Sequence, residues 1–278
     1  MTELHRLGGI EVGGISVGGV ETCILVPGWK LAFDLGRCPD QALRQSTVLF
    51  THAHMDHMGG VAWHAATRAL RRMPAPRYVV PHENVEAFDD LFRVWRQLDR
   101  SELDYTRVPA GPGDDVELAP DLIARPFRSV HRVPCQGYGL WSRTRKLKSK
   151  YRGLPSAEIA RLKAEGVEPT NIVERPELAF TGDTRIEVVE REAVVREARV
   201  LVMEATFLDE QVSADESRAK GHVHLDDIIE RAELFENEAI LLTHFSARYS
   251  ADQIVELLDR RLPATLRERV TPLLAGHR

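Results

Sequence analysis

Long apolar runs are missing from this 278-residue sequence. None approaches the roughly 20 residues that span a bilayer, and residues 1–19 lack the basic start and hydrophobic block of a secretory signal. The expectation is a protein without a membrane span, located in the cytoplasm. Cysteine is scarce as well. Cys23, Cys38 and Cys135 leave an odd count and form no Cys-x-x-Cys pair, which fits reduced thiols rather than a disulfide framework and offers no cysteine as a metal ligand. An excess of positive charge is also absent: the formal net charge of -5 argues against a chain that coats nucleic acid over its whole surface, although a local basic patch can still do so. Repeats and low-complexity segments are lacking. What is present, 43% hydrophobic residues, is ordinary for a globular chain long enough for one large domain or two small ones.

Short β-branched-rich runs predict buried strands over 22–26, 31–34, 47–51, 77–80, 122–130, 178–181, 200–203 and 240–243. Helical patterns lie between them. The clearest covers 82–98, where Val85, Phe88, Leu91, Phe92, Trp95 and Leu98 share one face and predict a core-packing helix. Two more are expected over 226–236 and 251–262, the latter with Ser250 as N-cap and Pro263 as terminator. This alternation is α/β. From Trp141 to about Glu177 it breaks down: no good strand is visible, and a dense basic run is followed by Gly153, Pro155 and Gly166. That stretch, 141–177, reads as an arm inserted into a single domain of residues 1–278.

The chemistry is concentrated in His52-Ala53-His54-Met55-Asp56-His57, which follows a strand and precedes Gly59-Gly60. Imidazoles at i and i+2 of extended chain point the same way, so His52 and His54 can chelate one metal while Asp56 and His57 turn toward a second. Imidazole with carboxylate suits zinc, with manganese or iron as alternatives. Further candidates end apolar strands: His131 after Val130, Asp183 after Gly182, and His244 after Thr243. Singly, each reads as a capping or turn residue. Jointly, and in this order, they resemble the metallo-β-lactamase superfamily. The resemblance implies an αββα sandwich with the metals at one rim. It implies His52, His54 and His131 on one ion, Asp56, His57 and His244 on the other, and Asp183 bridging both. Two divalent cations about 4 Å apart lower the pKa of a water toward neutrality and stabilise charge growing on an attacked phosphate. The set serves thioesters and lactones equally well, so it names no substrate.

Four other segments resemble ribonuclease Z, the tRNA 3′-processing endonuclease, in its short form. They are Glu21-Thr22-Cys23-Ile24 with residues 32–38; His131-Arg132-Val133 with Gln136-Gly137-Tyr138; Glu204-Ala205-Thr206-Phe207-Leu208; and Gly221-His222-Val223-His224 leading to Thr243-His244-Phe245-Ser246-Ala247-Arg248-Tyr249. The last is the most specific, and it marks Arg248 as a substrate contact. By this resemblance Asp56 is also a proton acceptor, and Glu204 with His222 forms a second proton-handling pair. A carboxylate-held histidine can protonate a departing ribose 3′-oxygen near neutral pH. The bland alternative for Glu204 is a strand-end carboxylate in an ion pair. His222 and His224 alternate, so only one is expected to face the site, and the family spacing selects His222. The Pro-Thr-Lys-x-Arg-Asn loop of many bacterial members, linked to rejection of CCA-ended tRNA, has no counterpart in residues 13–22.

Arg143, Arg145, Lys146, Lys148, Lys150 and Arg152 crowd the arm between Trp141 and Tyr151. Such a run is usually a solvated face; inside an insertion it reads as a phosphate-tracking surface. The resemblance makes it the exosite that clamps the tRNA body, and it implies a homodimer. The leading expectation is removal of the 3′ trailer from precursor tRNA, leaving a tRNA 3′-hydroxyl and a 5′-phosphorylated trailer. A small-substrate hydrolase of the same fold, acting on cyclic nucleotides, lactones or thioesters, is the first alternative. A non-catalytic nucleic-acid-binding scaffold is the second.

Overall fold

A computed structural model describes residues 2–277. Strands β1 (Glu3–Leu7), β2 (Ile10–Gly18), β3 (Glu21–Val26), β4 (Leu31–Phe33), β5 (Thr47–Leu49), β6 (Arg77–Pro81) and β7 (Thr106–Ala110) lie side by side in chain order in one sheet. The other sheet holds β8 (Val116–Ala119), β9 (Leu122–Ser129), β10 (Cys135–Leu147), β11 (Thr170–Phe180), β12 (Val200–Glu204), β13 (Ala239–Thr243) and β15 (Val270–Pro272); the short β14 (Phe245–Ser246) crosses back to pair with β2. In each sheet one half is antiparallel and the other, β4 to β7 or β11 to β15, is parallel.

Period-two alternation builds the layers. Val200 and Val202 face the opposing sheet, where they join Ile24, Phe33, Leu49 and Val79, while Leu201 and Met203 face the other way, against helix residues such as Val189, Ile228 and Leu258. On the outside of the first sheet, Leu25, Val48 and Tyr78 pack on Val61 and Ala65 of the helix Val61–Leu70 and on Phe88 and Phe92 of the helix Val85–Asp99. Parallel strands covered on both faces need continuous apolar sequence, which is why they stood out as hydrophobic runs. The result is helix, sheet, sheet, helix: the expected αββα sandwich.

Two expectations need correcting. The segment 141–177 is not strand-free. It is a long antiparallel hairpin in which Trp141 pairs with Pro176 and Leu147 with Thr170, tipped by the helix Ser156–Ala164. Beyond the sandwich both faces of a hairpin meet water, so its strands carry charge on both faces and leave no apolar alternation to detect. The helix Val85–Asp99 buries only part of its stripe: Phe88 and Phe92 are enclosed, whereas Leu91, Val94, Trp95 and Leu98 are exposed. Periodicity reports an apolar face but not what covers it.

Candidate metal centre

The carboxyl ends of β4, β5, β9, β11, β12 and β13 converge on one rim, and the chain leaves them through Asp34, His52, His131, Asp183, Glu204 and His244 in turn. That is where open α/β sheets place ligands. His54 is extended and caps the short helix Met55–Met58, whose single turn directs Asp56 and His57 back to the rim. This turn is pressed against the chain after β4, where a Cβ at Gly36 would lie 2.3 Å from the Asp56 carbonyl oxygen. Asp34 and His244 both have left-handed backbone, φ 58° and 59°, which costs about 1 kcal/mol or more for a residue with a Cβ.

The donors form two main clusters, His52, His54, His131 with Asp183, and Asp56, His57 with His244, and a third, overlapping set joins Asp183 and His244 to His222; within each, the ligating atoms all lie within 4.8 Å of one another. Asp183 divides its carboxylate between them. Its Oδ2 is 3.9 Å from Nε2 of both His52 and His131, and its Oδ1 is 3.3 Å from Nε2 of His57 and 3.4 Å from Nε2 of His244. Asp56 places Oδ2 3.7 Å from Nε2 of both His57 and His244 and accepts the backbone N–H of Gly19 at 3.0 Å.

Hydrogen bonds behind the rings set which nitrogen faces inward. His57 Nδ1 donates to Asp34 Oδ2 at 2.8 Å. Thr51 Oγ1 donates to the same carboxylate at 2.8 Å and so accepts from His52 Nδ1 at 2.9 Å. His131 Nδ1 donates to the Gly221 carbonyl at 2.8 Å. Thr206 Oγ1 donates to Glu204 Oε2 at 2.5 Å, leaving it to accept from His244 Nδ1 at 3.0 Å. In each of these four rings Nδ1 is engaged behind, which leaves Nε2 as the inward-facing nitrogen. His57 and His244 bring those nitrogens within 3.4 Å of each other, and the Nε2 of His131 is buried with no hydrogen-bond partner. Two inward ring nitrogens this close and an orphaned buried nitrogen fit a cation, so the residues suit divalent metal on the structure's own terms.

Electrostatics agree. Burial first, and neighbouring imidazolium charge second, holds His52 well below the usual histidine range; burial also lowers His54 and His131, keeping all three in the neutral form that ligates. His57 is the exception: burial opposes its charge, yet Asp183 and Asp34 on either side raise it well above the ordinary value. A proton there stands where a cation would. Burial alone would raise Asp56 and Asp183, but the neighbouring imidazoles of His244 and His57 hold both carboxyls low.

Beside the two clusters, His222 Nδ1 lies 3.0 Å from Glu204 Oε1. The carboxylate also accepts the backbone N–H groups of Thr184 at 2.7 Å and Val223 at 3.2 Å, so the partner of this strand-end residue is a histidine and not a lysine or arginine. Burial works against the charged imidazole, but Glu204 outweighs it and raises His222 to about 9. His222 lines the cleft of about 590 Å³ that opens onto His54, His131 and His244. His224 turns away and caps the helix Leu225–Glu230 by accepting from Asp226 N at 3.1 Å.

The comparisons decide the family. The chain is 44% identical to tRNase Z TRZ1 of Arabidopsis thaliana over 92% of each chain. It belongs to the ribonuclease Z family. The human short-form tRNase Z superposes on this member of the ribonuclease Z family with a TM-score of 0.58 at 18% identity, over 92% of this chain and 93% of the human one. A metallo-β-lactamase fold protein from Bacillus subtilis, YhfI, superposes with a TM-score of 0.63 at 12% identity, over 94% of each chain. No protein-family model matches the chain.

In this ribonuclease Z relative the arm cations stand apart, and none lines the cleft. Arg145, Lys146, Lys150 and Arg152 are exposed. Lys148 is half-buried, its Nζ donating to the Glu168 carbonyl at 2.6 Å. Arg143 corrects its expectation as an open phosphate contact: it is paired with Asp115 and Glu174, both at 2.9 Å, beside Arg125 on the same two carboxylates. It braces the hairpin where it leaves the sheet. Arg248 is exposed beside the cleft, its guanidinium 5.4 Å from the centre of the ring of Phe207, which lines it. Its neighbour Tyr249 is buried, donating to Asp209 and accepting from Leu208 N. Sequence reading passed over Asp34, Thr51 and Thr206 as site residues; the available signal was a carboxylate ending β4, the same signature that marked Asp183.

Proposed function

We propose that this chain is the endoribonuclease that removes the 3′ trailer of precursor tRNA, leaving a tRNA 3′-hydroxyl and a 5′-phosphorylated trailer. Family membership makes it a metal-dependent nuclease. The observation that carries the finer reading is the Glu204–His222 pair, 3.0 Å apart at the lip of the donor cleft, because a proton donor there suits a poor alkoxide leaving group.

His52, His54 and His131 would hold one cation, Asp56, His57 and His244 a second, and Asp183 both. The donor chemistry favours zinc, with manganese or iron as alternatives. When bound, two such ions acidify a water and stabilise the charge that grows on the phosphate. Asp56, fixed by Gly19 N, accepts the proton from the attacking water. His222, held protonated by Glu204, delivers a proton to the departing ribose 3′-oxygen. Arg248 meets the RNA beside the cleft. In this reading residues 1–278 act as one domain, and Arg145, Lys146, Lys148, Lys150 and Arg152 on the arm track the phosphates of the tRNA body without reading its sequence.

A homodimer is supported by the uncovered stripe Leu91, Val94, Trp95 and Leu98. An antiparallel second copy would cover that stripe with its own. Loss of the dimer in sedimentation of Trp95→Glu tests this; an unchanged mass would remove it. The cytoplasm is the compartment we assign, on three buried, unpaired cysteines; no helix among the described residues is long and apolar enough to cross a membrane.

The test pairs a trailer-bearing precursor tRNA with a chromogenic phosphodiester, each with and without chelator. Chelator-sensitive cleavage of the precursor at one site is expected. Turnover of the small ester alone would sink the tRNA reading, and inactivity on both would leave a binding scaffold.

A further inference from the structure

The arm is not the only place where basic groups lack anions. Arg132 and Lys220, which line the metal cleft, and Arg248, beside Phe207 of its lining, are exposed on three separate segments. None has a carboxylate within 4.0 Å among the described residues. The contrast with their surroundings is sharp: Arg218, two residues before Lys220, is paired with both Asp215 and Asp227.

Lys220 is also the best anchored of the three. It ends the helix Ala214–Lys220, and the next two residues are pinned on both sides. Gly221, at φ 83°, donates to Arg218 O at 3.0 Å and gives its carbonyl to His131, and His222 N donates to Ser217 O at 3.0 Å. The Lys220 ammonium lies 5.2 Å from the centre of the Phe207 ring, which also carries the Arg248 guanidinium at 5.4 Å and meets His222 edge-on with centroids 6.3 Å apart. One buried ring therefore stands against two cations and against His222 at once. Two like charges held beside one ring favour an anion between them, and the phosphates of a bound nucleic acid supply one.

We propose that Lys220, steered by Phe207 and seconded by Arg248, is a substrate-positioning residue that holds the phosphodiester immediately 5′ of the nucleotide whose 3′-oxygen departs. The side follows from the chemistry and rests on the reading given under Proposed function. His222 protonates the leaving 3′-oxygen, so it stands on the side of the ribose that stays with the tRNA; Lys220, two residues away over the ring that touches His222, meets the next phosphate on that same side. The arm then grips the body of the RNA from afar, whereas Lys220 sets the register at the cut.

The experiment is a cycle between side chain and linkage. Wild type and Lys220→Ala are compared on an acceptor-stem RNA with a short trailer, carrying a neutral methylphosphonate at the linkage 5′ of the cleaved nucleotide, at the next linkage on the trailer side, or at neither. Values of kcat/KM and of Kd are both read, with bis-p-nitrophenyl phosphate turnover alongside. The Ala variant is expected to lose at least tenfold more on the unmodified RNA than on the small ester, mostly in KM, with recovery in Lys220→Arg. The 5′ methylphosphonate should cost wild type a similar factor and Lys220→Ala little, and the trailer-side one should cost both equally. Additive penalties at the 5′ linkage, or equal losses on RNA and ester, would overturn the assignment. An inactive wild type on unmodified RNA would defeat the functional reading instead, and the same cycle read in Kd would still decide for or against Lys220.

Discussion

Asp34 and Glu204, on different sheets, play the same part in the centre: each orients two histidines, one directly and one through a threonine hydroxyl. Asp34 accepts from His57 and, through Thr51, fixes His52. Glu204 holds His222 and, through Thr206, fixes His244. The symmetry of the arrangement divides the labour. Asp34 serves only candidate metal ligands, whereas Glu204 couples one ligand to the proposed proton donor.

Replacing Asp34 with Asn should therefore act on metal rather than on RNA. A neutral amide no longer enforces Nδ1–H on His57, and outer-shell changes of this kind typically cost about 10–100-fold in metal affinity. Competition with a chelator, read by elemental analysis, should show this loss, with RNA binding by the arm retained. Unaltered affinity would reduce Asp34 to a purely structural residue.

Glu204→Gln should lower kcat about 100-fold or more, the usual weight of a positioned acid. It should also move the alkaline limb of the pH–rate profile. Glu204 raises His222 to about 9, so removing its charge lets the imidazole lose its proton at lower pH. Bound cations pull the value down in both proteins without altering that direction. A limb that stays in place would show that His222 is not the titrating donor.

His64 gives a pH dependence unconnected with the metals. It is fully enclosed between the Tyr78 hydroxyl at 2.8 Å and the Ala42 carbonyl at 3.2 Å, and burial lowers it to about 4. Its neutral form is the folded one. Its contribution is fully present above the unfolded value near 6.5 and is lost as pH falls through about 4, a span worth about 3 kcal/mol. Urea denaturation of wild type and His64→Gln should diverge in slope against pH over that window; parallel curves would refute the assignment.

On the arm, Lys146→Ala, Lys148→Ala and Lys150→Ala together should weaken precursor tRNA binding and flatten its salt dependence. The small ester should suffer far less. Arg143→Ala should behave differently, loosening the hairpin base by breaking its pairs with Asp115 and Glu174 while leaving the salt slope alone. Filter binding across a salt series, with thermal melts of both variants, separates the two effects.

How much of this was legible beforehand depended on whether the signal was local. All eight apolar runs lie in strands, because strands buried on both faces must be apolar throughout. Among the strands that escaped notice are the glycine-rich β2 and the outer part of the charged hairpin β10–β11: one has little side chain to read, and the other extends into water, where sequence pattern and strand no longer coincide. The helix Val85–Asp99 was visible as a stripe, but periodicity could not tell Phe92, which is enclosed, from Trp95, which is not.

The sequence by itself determined the donor inventory, since His52 to His57 is a local pattern whose spacing fixes which side chains can point together, and the order of strand-terminal His131, Asp183, Glu204 and His244 is a property of the chain alone. Only the tertiary structure decided what those donors face. That Asp183 splits its two oxygens between clusters, that His222 rather than His224 reaches the cleft, and that Lys220 lies over Phe207 all depend on loops from different strands arriving at one rim. Distances between such loops are set by the packing of two sheets and not by anything written within a few residues of each other.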